Sequence, residues 1–207
     1  LLPDGQPLEI VVENAGDSSE QSDVLELIRD SWAEVGIKLF SKPSQLDMWL
    51  RRVYAGTTMM SIDKGYDNGL PSADMPPMEF TPTNQRQLQW PKWGQFVQTK
   101  GKAGEAIDMP AAEQLRQLYL DWFTTASAAE RAEIWGKILD IQADQVFTIG
   151  IVAGVLQPVV VGNKLRNVPA EGVYNWDPGA FFGVYHPDTF WLAPSGTNEA
   201  AAPQTHG

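Results

Sequence analysis

Two hydrophobic periods alternate along the chain, and their order predicts its elements. Leu8–Glu13 reads as a strand, preceded by a Pro3–Pro7 turn built on Asp4-Gly5 and followed by the polar loop Asn14–Ser19. Val24, Leu25, Ile28, Trp32 and Val35 then recur three and four apart, which is one face of a helix. Ser18 and Gln21 have capping-box spacing at its start, and Gly36 stands where a left-handed C-terminal residue is wanted. Ile37–Phe40 is the next strand, so strand, helix and strand follow within about thirty residues, the length of a βαβ unit. Ser44 is the expected cap of a further helix carrying Leu46, Trp49, Leu50 and Val53 and closed by Gly56, with Thr57–Ile62 as a strand behind it.

The second half repeats the alternation. Leu115, Leu118, Tyr119, Trp122 and Phe123 predict a helix over Ala112–Phe123. Ser127 and Glu130 again have capping-box spacing, and Ile134, Trp135, Ile138, Leu139 and Ile141 make an apolar face behind them. The short break between these two helices predicts a helical hairpin. Val146–Val152 has the β-branched, uncharged character of a strand covered on both sides. Pro158 stops its continuation, and Val159–Val161 is a second candidate strand. Between Asp63 and Pro110 the period is lost in a run rich in Gly, Pro and Asn, and so long a loop is usually functional or mobile. Beyond Gly162 the chain is loop-like with short aromatic runs, and Ser195–Gly207 reads as a polar, frayed tail. Trp32, Trp49, Trp122 and Trp135 lie on apolar helical stripes and are expected in the core.

Composition narrows the function classes. With 207 residues, 43% of them hydrophobic, the chain can bury a core as one large domain or two small ones. No stretch approaches the roughly 20 apolar residues of a membrane span. A formal net charge of −11 disfavours nucleic acid and anionic membrane surfaces, and otherwise reads simply as solubility. The absence of cysteine excludes disulfides, thiolate metal sites and a cysteine nucleophile. Leu1 is not an initiator methionine and no signal-peptide pattern follows it, so either a leader has been removed or the chain is a piece of a longer one.

Searches for catalytic chemistry end negatively. The sequence has no G-x-S-x-G elbow, no G-x-G-x-x-G and no Walker loop. Its two histidines are His206, in the tail, and His186, in a turn-like Tyr-His-Pro-Asp setting with no identifiable nucleophile to serve. Zinc would need more soft or imidazole ligands, and Asp63, Asp67, Asn68 and Asp74 lack the spacing of a calcium loop. The expectation is a non-enzymatic protein without cofactor or metal, whose function is recognition.

The stretch Asp63–Asp74 follows a predicted strand, and ligands of α/β sheets gather at such strand ends. Tyr66-Asp67 sets a ring beside a carboxylate, a pair suited to a cationic ligand group; a solvated Asx turn is the alternative. Trp90 and Trp93 lie in a Pro-containing loop, where an indole either stacks on a ligand or packs the loop onto its domain.

Three stretches carry a family resemblance. They are LLPDGQPLEIVVENAGDSSEQSDVLELIRDSWAEVGIKLF, then AAERAEIWGKILDIQADQVFTIGI, then QWPKWGQF with VVVGNKLRNVPAEGVYNWDPGAFFGVYHPDTFWL. Together they resemble the C-terminal part of extracellular solute-binding proteins of ABC importers, the family-five class of dipeptide, oligopeptide and nickel binders. The resemblance implies one α/β lobe of a periplasmic-binding-protein type II fold, a mixed sheet flanked by helices, spanning residues 1–194 with a tail at 195–207. It implies a missing N-terminal lobe, a small-molecule or peptide ligand held between lobes, and an importer permease as partner. The place it implies is the periplasm or cell exterior, membrane-associated through the importer. Peptide-binding members pair the ligand's amino group with an Asp in a Gly-Asp-Tyr-like loop; Asp67 in Ile62-Asp63-Lys64-Gly65-Tyr66-Asp67-Asn68 is the nearest match, in a different residue order. The family's returning segment crosses toward the hinge, which brings Trp176, within Tyr174–Asp177, toward the cleft. Two other readings stay open: a docking lobe without a ligand of its own, and a hydrolase domain built around His186.

Overall fold

The computed structural model describes residues 2–63, 65, 73, 75–152, 158–171 and 186–194. The chain forms two compact units, Leu1–Lys64 with Ala73–Ile149, and Gly65–Ser72 with Gly150–Gly207.

The first unit opens with the predicted βαβ segment. Strand β1 (Leu8–Asn14), helix α1 (Ser19–Glu34), strand β2 (Ile37–Pro43), helix α2 (Leu46–Tyr54) and strand β3 (Met60–Ser61) follow in order. The sheet runs β2-β1-β3 with both pairings parallel, in register from Leu8↔Ile37 to Asn14↔Pro43 and at Val12↔Met60. Ser18 caps α1 as its spacing predicts, its hydroxyl accepting from the Gln21 N–H at 3.2 Å. Leu25 is buried against Val12, Leu39 and Ile62, with Val24, Ile28 and Trp32 packed around them. Val35 ends the predicted stripe in solvent, because it is already the C-cap and Gly36 turns the chain at φ +83°.

Successive residues of a strand point to opposite faces. Val12 packs under α1, whereas its neighbour Glu13 reaches Arg52 of α2, so the two helices cover opposite faces of the sheet. Ser44 is not the cap of α2. Gln45 holds that position without a side-chain bond, because the Ser44 hydroxyl accepts from Arg52 Nη2 at 2.6 Å. The strand expected over Thr57–Ile62 shortens to Met60–Ser61, since the Thr57 N–H and hydroxyl both remain on the Arg52 carbonyl.

The rest of this unit is helical. α3 (Pro91–Gln98), α4 (Pro110–Thr124) and α5 (Ala128–Gln145) follow a 3-10 turn at Met78–Phe80. Leu115, Leu118 and Trp122 of α4 meet Ile134, Trp135 and Ile138 of α5 in one core with Trp90, the predicted helical hairpin. Ser127 accepts from the Glu130 N–H at 3.3 Å, as its spacing predicts.

Neither late strand forms. α5 ends at Gln145, and Val146 takes a left-handed φ of +50° as its C-cap. Phe147 folds back edge-on against Trp90, 5.1 Å between centroids. Ile149, Ile151, Val152 and Val159–Val161 are exposed, and no strand among the described residues pairs with them. A β-branched run becomes a strand only when an edge accepts its backbone bonds.

In the second unit β4 (Leu165–Arg166) pairs antiparallel with β5 (Trp191–Leu192). Asn167 Nδ2 donates to Thr189 Oγ1 at 2.8 Å beside a 3-10 turn at Pro187–Thr189. The predicted tail from Ser195 lies outside the described residues.

Candidate functional site

The candidate stretch begins at the carboxyl edge of the sheet. The Ile62 N–H donates to the Glu13 carbonyl at 3.1 Å, and the Ile62 side chain is buried in the α1 core. The Glu13 carboxylate is itself buried and held by two cations, Arg52 Nε and, at 3.4 Å, Lys42 Nζ. Arg52 continues to Ser44, which ties β1, β2 and α2 together at this edge.

Asn14 closes β1 beside this network. Its carbonyl accepts from the Ser44 N–H at 3.1 Å. Its side chain is fully buried, yet neither Oδ1 nor Nδ2 has a hydrogen-bond partner among the described residues. Buried amides are ordinarily satisfied, so a donor and an acceptor stand unmet where the parallel strands end. Sequence reasoning placed Asn14 in a polar loop; an asparagine closing an apolar strand was the signal available.

The trailing end of the stretch is fixed elsewhere in the same unit. Trp122 Nε1 donates to the Ala73 carbonyl at 2.8 Å, and Trp135 Nε1 to the Met75 carbonyl at 3.1 Å. A cradle of glutamine bonds continues the segment. Gln142 Nε2 reaches the Phe80 carbonyl at 2.7 Å and Gln89 Nε2 the Glu79 carbonyl at 3.2 Å. Gln87 Oε1 accepts from the N–H groups of Thr83 and Asn84 and from the indole of Trp90.

Of the sequence-predicted residues, Tyr66, Asp67 and Trp176 lie outside the described residues, as do Asn68 and Asp74. Trp90 is 3% exposed, with its N–H on Gln87 and its ring against Phe147. Its ring is committed to the core, which is the packing alternative and not a stacking wall. Trp93 is half-buried against the same core. The structure therefore brings Trp90 and Trp93 together on one packed layer.

Asp63 is exposed at the leading stem. His186 is exposed, with a left-handed φ of +52° and its carbonyl accepting from Thr189. Among the described residues no group of three or more His, Asp or Glu side chains could hold a metal ion. No helix among them is long and apolar enough to cross a membrane.

No family model matches the chain, and no curated protein matches it. Solved structures do. The oligopeptide-binding protein OppA superposes with a TM-score of 0.54 over 71% of this chain and 25% of its own, at 18% identity. NikA from Brucella suis, solved in complex with Fe(III)-EDTA, gives a TM-score of 0.47 over 70% of this chain and 26% of its own, at 16% identity. The chain spans about a quarter of the length of these structures. Its mixed α/β architecture resembles one lobe of a periplasmic-binding-protein-like fold.

Proposed function

We propose that the chain is the C-terminal lobe of an extracellular solute-binding protein of the family-five class, non-enzymatic, with residues 1–194 as the lobe and 195–207 as its tail. It captures a small peptide-like or cationic solute against a second, N-terminal lobe and delivers it to an importer permease at the outer face of a membrane. The observation that carries this reading is the carboxyl edge of the parallel sheet, where β1 and β3 end beside the start of Asp63–Asp74. Ligands of open α/β sheets bind outside such edges. The unmet amide of Asn14 at that edge supports a polar guest.

In this reading Asp67 supplies the negative charge, and Tyr66, Trp93 and Trp176 supply ring surfaces. A solute touching both lobes stabilises the closed form by its differential affinity for that form. The permease then distinguishes closed from open.

Calorimetric titration of the protein at its full encoded length with the dipeptide lysyl-lysine tests the ligand class. Amino-terminal acetylation of the dipeptide, or Asp67→Ala in the protein, is expected to weaken binding about tenfold or more, the scale of one charge-assisted hydrogen bond. Equal affinity for the free and acetylated dipeptides contradicts the assignment of Asp67.

A further inference from the structure

Strand β2 ends its sheet, whose order is β2-β1-β3, and no strand among the described residues lies beyond it. Backbone bonds fix which of its groups face outward. In a parallel ladder the N–H and C=O of one residue point to one neighbouring strand and those of the next residue to the other. The Asn14 carbonyl of β1 accepts from the Ser44 N–H, whereas the Glu13 carbonyl accepts from the Ile62 N–H on the β3 side. By that alternation the even-numbered residues of β2 bond to β1, and Ile37, Leu39 and Ser41 turn their N–H and C=O groups to the outer edge. Pro43 falls in the same outward set, where a strand tolerates a residue without an N–H. The edge open to pairing is therefore residues 37–41.

The two faces of this edge set what it accepts. Toward α1 it is flanked by a groove of about 500 Å³, lined by Pro7, Ala33, Ile37 and Leu39 together with Arg29 and Asp30. On the other face Phe40 is 49% exposed beside its register partner Val11, itself 41% exposed. Lys38 and Lys42 flank Phe40 on that face and pair across to Glu9 and Glu13 of β1, each at 3.4 Å. Both lysines are about half exposed, and an ammonium carries three donors, so each can take a second carboxylate from the outer side. On its inner side β2 thus already pairs with a strand that alternates Glu, apolar, Glu on this face.

A second copy of the chain does not fit. Two β2 edges related by a twofold axis through Phe40 run antiparallel and set Lys38 of each against Lys42 of the other. Lysine on an edge strand is a common bar to self-pairing. The same two charges favour an acidic strand, so one feature rejects one partner and selects another.

We infer that the outer edge of β2 is a docking edge for an extended acidic segment of another protein. The segment adds as a further strand, its main chain on Ile37, Leu39 and Ser41 and its carboxylates on Lys38 and Lys42. Its apolar residues cover Phe40 on one face and enter the α1 groove on the other. The inference does not depend on the solute reading.

Residue-resolved amide exchange by NMR on the protein at its full encoded length tests this. The probe is the capped peptide Leu-Glu-Ile-Val-Val-Glu-Asn, the sequence of β1, beside its charge-reversed form Leu-Lys-Ile-Val-Val-Lys-Asn. The acidic peptide is expected to slow exchange at Leu39 and Ser41 by about tenfold or more, and to leave Phe40 and Lys42, already bonded to β1, unchanged. The lysine peptide is expected to need about tenfold more for the same effect. Ser41→Pro removes one outward N–H and keeps the bonds to β1, so it is expected to weaken the acidic peptide by about three- to tenfold without altering the signals of Val12 and Leu25. Unchanged exchange at Leu39 and Ser41 with the acidic peptide overturns the docking edge. Equal action of the two peptides overturns the selection by charge, and with it the acidic partner. Protection that grows with protein concentration in the absence of peptide makes a second copy the occupant and overturns the assignment. Where Ser41→Pro fails to fold, the acidic peptide N-methylated at alternate residues takes its place, with the same weakening expected.

Discussion

Gln87 is the residue on which the segment between the 3-10 turn and α3 is organised. Its one carbonyl oxygen takes three donors, and its amide nitrogen reaches back to the Met78 carbonyl and to Thr83 Oγ1. Replacing it by leucine of similar size leaves those donors without an acceptor in a site that is 6% exposed. Gln87→Leu is expected to lower stability by about 2–4 kcal/mol, measured by urea unfolding, because orphaned buried donors retain their desolvation penalty. Tyr119 makes a different prediction. Burial pushes its hydroxyl above the ordinary tyrosine value of about 10. The unfolded chain therefore releases this proton first as pH rises, and stability falls from about pH 10 until the folded hydroxyl also ionises. Tyr119→Phe removes that part of the alkaline loss, visible as a flatter dependence of the urea midpoint on pH. Single residues were legible in the sequence where their partners are near. Ser18 and Ser127 bond three residues ahead, and spacing alone finds them. Ser44 was misplaced because its partner Arg52 belongs to a network centred on Glu13, on another element.

At the scale of elements, α3 had no periodic signal, and its position depends on a close backbone approach. A Cβ at Gly94 would run into the carbonyl of Asn84, and one at Gly104 into that of Lys92. Gly94→Ala is expected to cost about 3 kcal/mol or more, because the atom it meets is backbone and cannot rotate away. A loss below 1 kcal/mol in urea unfolding would mean that this approach does not hold α3. The late strands failed for the complementary reason. Val146–Val152 and Val159–Val161 carry strong β-formers, but propensity does not create a neighbouring edge. β1, α1 and β2 were legible because a βαβ segment supplies its own parallel partner within the predicted stretch. The segment that follows the candidate stretch was not. Its Ala73 and Met75 carbonyls are held by Trp122 and Trp135, which the apolar stripes had already assigned to the core, and a stripe does not show where an indole N–H points.

At the scale of the whole molecule, the part of the chain that matches OppA covers a quarter of that protein's length, at 18% identity. Likeness at that level concerns architecture, and the solute role is drawn from the carboxyl edge, the candidate stretch and the family-like sequence motifs together. Native mass spectrometry of the full-length protein, gently purified beside its Asp67→Ala variant, tests that role most directly. The account predicts a co-purifying small molecule on the parent that is lost from the variant, its mass giving the identity of the solute. A parent that carries no small molecule, and to which no cationic or peptide solute adds in the same spectra, contradicts solute capture by this protein.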